Sequence, residues 1–118
     1  MESVKMEMET NFVGHADGEW IKLEPGVSAK YLFLDETTGE RTLFVRFEPG
    51  SMYPLHNHPG KEEILVLEGD VKVGKYVMRA GDYLYTPPEG KHSASTVGGG
   101  LVLIKLDKET EFIERRTN

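Results

Sequence analysis

Three of the four histidines lie in two segments that contain several glycines, and these histidines have the spacing of metal ligands. His56 and His58 are separated by one residue, Glu62 follows His58 after three more, and His92 lies in the second segment. Because residues i and i+2 of a strand point to the same side, a strand would direct the His56 and His58 imidazoles towards one point. Two imidazoles and one carboxylate form a facial triad for a first-row metal, and the imidazole of His92 would be a fourth ligand.

The glycines and prolines around these residues make the pattern more specific than a His-x-His pair alone. The first segment begins at Gly50 and reads G-x5-H-x-H-x3-E-x6-G, and the second begins at Gly81 and reads G-x5-P-x4-H. Glu63 is the competing carboxylate, but it shortens the gap to the last glycine of the first segment and begins an apolar run. Glu62 is therefore the preferred carboxylate, and Glu63 is assigned to the protein surface or to a supporting position behind the ligands.

The composition predicts one all-β domain that positions these ligands. The chain has 118 residues, which is room for one compact domain, and its 13 glycines and 6 prolines favour many short strands. Strands are predicted at 20–23, 27–34, 41–48, 64–67, 71–73, 76–78, 82–86, 92–97 and 101–106. The apolar run 64–67 is interpreted as a strand buried on both faces or as part of a tight hairpin closed by 68–70. A set of strands this large in one small domain predicts a barrel or jelly roll.

The two ends of the chain are interpreted separately from the barrel, which is assigned to residues 13–110. In residues 1–12, Val4, Met6 and Met8 alternate with polar residues, which is typical of an edge strand or of a frayed tail. An edge strand here could pair with a second copy, so a homodimer is expected. Residues 111–118 are assigned to a tail, and 110–116 is the one segment with a helical pattern.

Charge and cysteine content exclude several classes of function. The formal net charge is -6, which disfavours nucleic acid and anionic membranes as partners, and there is no cysteine to hold a metal or act as a nucleophile. Any metal must therefore be bound by histidines and carboxylates. The charged first residues and the lack of a long apolar run predict a cytoplasmic protein without a membrane span.

Both histidine segments resemble the two motifs of the cupin superfamily, and the resemblance is strongest to ChrR-like cupins. Residues 54–69 read PLHNHPGKEEILVLEG, and residues 81–92 read GDYLYTPPEGKH. The resemblance covers nearly the whole chain after residue 17 and implies an RmlC-like double-stranded β-helix, which is a jelly-roll barrel. It also implies that the metal ligands of the family correspond to His56, His58, Glu62 and His92.

The sequence departs from the ChrR-like pattern in the second motif and after it. The glycine that usually follows the proline is displaced to Gly90, and Thr96 occupies the place of an expected asparagine. Gly98–Gly100 replaces a segment in which many ChrR-like relatives have a cysteine, so a redox role for that thiol is not expected. The helical segment with which an anti-sigma factor binds its sigma partner is absent from this sequence, so anti-sigma activity is not expected either.

The resemblance leaves two function classes open. Relatives include enzymes that cleave carbon-carbon bonds next to carbonyl groups with O2, which implies a metal-dependent dioxygenase for a small diketone or hydroxy-ketone. The alternative is a non-catalytic zinc-binding sensor or regulatory module, because zinc held by four protein ligands is usually structural. The cofactor is expected to be one divalent ion of iron, zinc, manganese or nickel, and the partner a small molecule. No catalytic residue beyond the ligands is assigned.

A few other side chains are weaker candidates for the site. His15 lies in a polar stretch and is expected in a solvated loop. Tyr83 and Tyr85 share one strand face and are assigned either to the pocket or to ordinary packing. Met52 and Tyr53 precede the histidine pair and are assigned either to the mouth of the barrel or to ordinary packing. Arg46 alternates with apolar residues and is expected to point outwards, although an inward arginine could bind a carboxylate substrate.

Overall fold

The computed structural model describes residues 9–113, and this part of the chain is built from strands and loops. Alternation of apolar and polar residues between glycine-rich turns produces the strands. In chain order they are β1 (Ile21–Glu24), β2 (Val27–Leu34), β3 (Arg41–Phe47), β4 (Met52–His58), β5 (Glu62–Val73), β6 (Tyr76–Arg79), β7 (Tyr83–Thr86), β8 (Gly90–Ser95), β9 (Gly100–Leu106) and β10 (Glu111–Phe112). The predicted all-β class is confirmed.

The strands form two curved antiparallel layers that share one long strand. In the first layer the order is β1-β2-β3-β9-β5-β7, and in the second β10, β4 and β8 lie beside the far half of β5, which also pairs with β6. Because β5 pairs with β9 in one layer and with β8 in the other, it closes the two layers around a common interior. This arrangement is the predicted jelly-roll barrel.

The core lies between the layers and is built from the inward residues of each strand. On β3 the inward residues Leu43, Val45 and Phe47 are all buried, whereas Arg46 between them is exposed. On β2 the neighbouring Val27 is fully buried against them. The two-residue period of the sequence therefore describes this layer correctly.

Strand β5 differs from both interpretations of its apolar run. It continues for 12 residues through the predicted turn at 68–70, and only alternate residues of the run, Ile64 and Val66, are buried. The ladder to β9 contains an irregularity between Val66 and Glu68, and Gly69 has a φ of 73°. A local change of backbone direction at this point lets one strand pass from the first layer to the second.

The predicted helix at 110–116 is wrong in its described part. Glu111 and Phe112 form β10, which pairs with Asn57 and His56 of β4. Pairing with an existing strand edge supplies backbone hydrogen bonds that an isolated helical turn could not match. Val4, Met6 and Met8 lie outside the described residues, and residues 9–12 do not form a strand. No helix in the described part of the chain is long and apolar enough to cross a membrane.

The close approach of β5 to β9 gives the first testable prediction. A Cβ at Gly69 would collide with the carbonyl oxygen of Gly99, and the positive φ of Gly69 adds backbone strain. We expect Gly69→Ala to lower the free energy of unfolding by about 2 kcal/mol or more, measured by denaturant titration. Gly98→Ala is the matched control, because a Cβ at Gly98 meets no atom within 4 Å. Equal stability of the two variants would contradict the prediction.

Candidate metal centre

Three strands bring the predicted ligands together in the barrel interior. His56 on β4 is paired directly with His92 on β8, so their side chains leave the sheet on the same side. His58 follows two residues after His56 and therefore points to the same side as well. Glu62 is the first residue of β5, and its register opposite Leu106 turns its side chain inwards. Residues far apart in sequence thus meet at one point because of strand pairing.

The side-chain atoms of this cluster are close enough to share one ion. One nitrogen from each of His56, His58 and His92 lies within 4.8 Å of the others, a group that could hold a metal. The Nε2 atoms of His58 and His92 are 3.1 Å apart. Glu62 Oε1 lies 3.1 Å from His58 Nε2 and 3.2 Å from His92 Nε2. Metal bonds of about 2.0–2.2 Å at right or tetrahedral angles separate neighbouring ligand atoms by roughly 3.0–3.5 Å.

The hydrogen bonding of the cluster also fits a cation better than a self-contained polar network. Glu62 is 3% exposed, and its Oε1 approaches two ring nitrogens without hydrogen-bond geometry. His58 is 2% exposed, and its Nδ1 has no hydrogen-bond partner among the described residues. A buried carboxylate oxygen without a donor is costly. A divalent ion would compensate this charge.

Backbone contacts hold the His56 imidazole in the form that a metal requires. The carbonyl oxygen of Pro54 lies 2.7 Å from His56 Nδ1, so Nδ1 donates its proton there and Nε2 keeps a free lone pair. Burial lowers the pKa of His56 to about 4, despite the opposing effect of this hydrogen bond. The ring is therefore neutral near pH 7 and available as a ligand.

Two effects on the pKa of Glu62 oppose each other, and the net effect favours the ionised carboxylate. Burial by itself would raise the pKa of this carboxyl, but the neighbouring His58 and His92 imidazoles outweigh burial and hold the pKa of Glu62 well below its usual range. The carboxyl is consequently ionised near pH 7. An ionised carboxylate and three imidazoles converge here, and these are donor types that bind first-row divalent metals.

The structure separates the two candidate carboxylates. Glu63 lies on the outer face of β5, where the hydroxyl of Tyr83 donates a hydrogen bond of 2.8 Å to Glu63 Oε1. This bond raises the pKa of Tyr83, because loss of its proton would place two negative charges side by side. Tyr83 is 56% exposed and Tyr85 49% exposed, so neither contributes to the pocket. Of the two alternatives for these tyrosines, the pocket is therefore excluded.

Two further candidates lie where the sequence places them. His15 is exposed in a loop, and its backbone carbonyl accepts a hydrogen bond of 2.9 Å from Lys30 Nζ. Arg46 points outwards, lies 5.5 Å from the centre of the Trp20 ring and forms a 3.9 Å ion pair with Glu68. Both residues are therefore separate from the candidate metal centre.

A largely apolar cavity of about 260 Å³ adjoins the histidine cluster. His56 and His92 form part of its wall, whereas His58 and Glu62 do not. Tyr53 lies at this wall, and the centre of its ring is 5.1 Å from that of His56 and 5.4 Å from that of Phe112 on β10. The cluster thus meets the cavity on its His56 and His92 side.

Sequence reasoning missed two contributors to this cavity. The segment Glu109–Phe112 lines it through Glu109, Thr110 and Phe112, because β10 lies beside β4. Arg41 also lines it. The two-residue period that places Leu43, Val45 and Phe47 inside also places Arg41 inside, so this signal was present in the sequence.

Fold and cluster together define a cupin-type barrel with a candidate metal centre, and family comparison agrees. The family model described as the ChrR Cupin-like domain matches residues 8–109. The chain therefore belongs to the ChrR cupin-like domain family. A comparison with curated protein sequences finds no match.

Solved structures share this fold at low sequence identity. A candidate acetylacetone dioxygenase from Methylibium petroleiphilum PM1 superposes with a TM-score of 0.86 and 17% identity, covering 95% of this chain and 86% of that one. An acetylacetone dioxygenase from Acinetobacter johnsonii superposes with a TM-score of 0.85 and 16% identity, covering 97% of this chain and 85% of that one. ChrR from Rhodobacter sphaeroides, in complex with SigE, superposes with a TM-score of 0.69 and 24% identity, covering 80% of this chain and 51% of that chain.

The geometry of the cluster predicts different effects for the two adjacent glutamates. We expect Glu62→Gln to weaken metal affinity by at least about 100-fold, since even residues that only support a ligand are worth about 10–100-fold. Glu63→Gln is the matched control and should leave the affinity within about threefold. Competition with a chromophoric chelator measures both affinities. Equal affinities of the two variants would show that Glu62 is not a ligand.

Proposed function

We propose that His56, His58, Glu62 and His92 bind one divalent transition metal and that the protein is a metal-dependent dioxygenase. The proposed substrate is a small diketone or hydroxy-ketone. The observation that supports this proposal is the position of the cluster, because two of its four converging donors, His56 and His92, line an apolar cavity. Such a cavity suits a small organic substrate with a few polar atoms at one end.

The ligand set would leave room for a substrate. Four protein ligands on a six-coordinate ion leave up to two positions, and His56 and His92 are the ligands that border the cavity. A bound divalent metal would supply Lewis acidity and, in the case of iron, redox chemistry towards O2. The choice among iron, manganese, nickel and zinc is not determined by these ligand types, since all four ions accept them.

The residues of the chain have separate tasks in this proposal. Glu62 supplies the anionic ligand, and Pro54 orients His56 through its carbonyl oxygen. Inward side chains such as Val45 and Phe47 form a cavity wall that excludes water. Tyr53 packs against the His56 ring and limits the space on that side. Orientation and water exclusion are the contributions that the protein makes to chemistry at a bound metal.

The proposed reaction consumes one diketone and one O2. The bond between a carbonyl carbon and the central carbon breaks, and both oxygen atoms of O2 remain in the products, a carboxylic acid and a 2-oxoaldehyde. O2 is the oxidant and the diketone is the reductant, so no further co-reactant is needed. The similarity to the Acinetobacter johnsonii acetylacetone dioxygenase supports testing this reaction first.

A non-catalytic zinc module is the second candidate, and one observation favours it. Four donors converge closely enough to saturate a tetrahedral zinc ion, which would leave no open position. The structural similarity to ChrR, which was solved in complex with SigE, is compatible with a regulatory role. In that case the cavity would bind an effector without converting it.

Oxygen uptake distinguishes the two candidates. We expect the iron-loaded protein to consume one O2 per acetylacetone in an oxygen electrode, and the zinc-loaded protein to consume none. His56→Ala in the same iron buffer is the control for free iron and should lose at least about 100-fold in rate. Uptake by the iron-loaded protein no faster than that control would contradict the dioxygenase proposal and favour the zinc module.

We also propose a cytoplasmic homodimer. Support comes from the outer face of the first layer, where Leu67, Tyr83 and Tyr85 are exposed large side chains. Clustered apolar side chains on a sheet face are typical of an interface between proteins. Light scattering coupled to gel filtration should give twice the mass of the chain at micromolar concentration. A monomer mass would contradict the dimer, and Arg79→Ala, at an exposed position on β6, is a control that should leave the mass unchanged.

A further inference from the structure

Arg41 belongs to the same row of the inner sheet as the candidate metal ligand Glu62. Arg41 pairs with Leu106, and Leu106 pairs with Glu62, so the three residues lie side by side across β3, β9 and β5. Directly paired residues point to the same side of a sheet. Glu62 and Leu106 are buried in the interior, so Arg41 is directed into the interior as well. Two strand spacings separate the Cα atoms of Arg41 and Glu62 by about 10 Å.

The guanidinium of Arg41 is fixed but not neutralised. Its Nε donates a hydrogen bond of 3.0 Å to the carbonyl oxygen of Gly39, which holds the group at the wall of the cavity. Among residues 9–113, no carboxylate lies within 4.0 Å of its nitrogen atoms, and this includes Glu109, which lines the same cavity. The two terminal nitrogens therefore have no carboxylate partner among the described residues, and they are available as donors at the wall of the cavity.

This arrangement differs from that of Arg46, which also lies on β3. Arg46 is exposed on the opposite face of β3, where it meets Trp20 and Glu68. Arg41 instead borders a cavity whose wall is mostly apolar. A partly buried cation without an anionic partner is costly, and a planar guanidinium binds carboxylates with two parallel hydrogen bonds. An anion in this cavity could therefore pair with Arg41, on the same cavity wall to which His56 and His92 contribute.

We propose that Arg41 binds a carboxylate of the substrate, which makes the substrate class a small dicarbonyl or hydroxy-ketone acid. The chelating oxygens of this acid face His56 and His92, and its carboxylate faces Arg41. This assignment rests on the proposed function of the metal centre.

Two ligands that differ only at the far end test this assignment. In 4,6-dioxoheptanoate a carboxylate replaces the terminal methyl group of heptane-2,4-dione, and the diketone is the same. Binding is measured by isothermal titration calorimetry on the zinc-loaded protein, in which no oxidation consumes the ligand. We expect the wild-type protein to bind the acid at least about tenfold more tightly than the neutral diketone. A hydrogen bond to a charged group typically contributes an affinity gain of about this size.

Three variants at two arginines provide the matched comparison. In Arg41→Met the ratio of the two affinities should fall to about one, and Arg41→Lys should keep part of the preference because it retains the charge but not the fork. Arg46→Met removes the same charge from the outer face and should keep the full wild-type ratio. A wild-type ratio near one, or an Arg41→Met variant that keeps the wild-type ratio, would overturn the assignment.

Failure of this inference is distinguishable from failure of the dioxygenase proposal. If the acid binds through Arg41 but the iron-loaded protein consumes no O2 with either ligand, Arg41 is confirmed and the dioxygenase proposal fails. If heptane-2,4-dione is consumed with O2 while the acid has no advantage in binding, the dioxygenase proposal holds and the role of Arg41 is rejected. Absence of binding of either ligand rejects the assigned substrate class.

Discussion

A buried carboxylate among three imidazoles is the interaction on which the arrangement of this barrel depends. Glu62 is almost completely buried and remains ionised, because the imidazoles of His58 and His92 outweigh the cost of burial. A charge in this environment needs a compensating partner, and removing one member of such a cluster leaves the others uncompensated. One divalent ion would neutralise the carboxylate and use the lone pairs of all three rings.

The fold brings these four side chains together through long-range strand pairing. β4 and β8 form a direct His56 and His92 pair, and the short loop after β4 brings Glu62, the first residue of β5, to the same point. β5 then passes from one layer to the other. The positive φ of Gly69 permits this passage, and β10 covers the outer edge of β4. Apolar residues of the first layer then leave a cavity on one side of the cluster, so the proposed metal has both a rigid support and an approach for a small molecule.

The sequence predicts most of this arrangement because its signals are local. The period of two residues places His56 and His58 on one face, and it places Leu43, Val45 and Phe47 in the core. The same period would have placed Arg41 inside. A charged residue considered without its neighbours is, however, expected to face solvent. Glu63 and Glu62 point to opposite faces because they are adjacent in one strand. The ligand assignment itself stays a prediction that metal binding must test.

Features that depend on distant pairing could not be predicted from local signals. The run 68–70 has the composition of a turn, yet its pairing with β9 and β6 keeps it within strand β5. The segment after Thr110 has helical propensity, but the free edge of β4 offers hydrogen bonds to β10. Tertiary context outweighs local propensity in both cases.

Elemental analysis of protein purified without chelator or affinity metal tests the central claim most directly. The account predicts about one equivalent of a divalent transition metal per chain, and none in a His56→Ala/His58→Ala variant that remains folded. Metal-free wild-type protein that stays metal-free when divalent ions are added would contradict it.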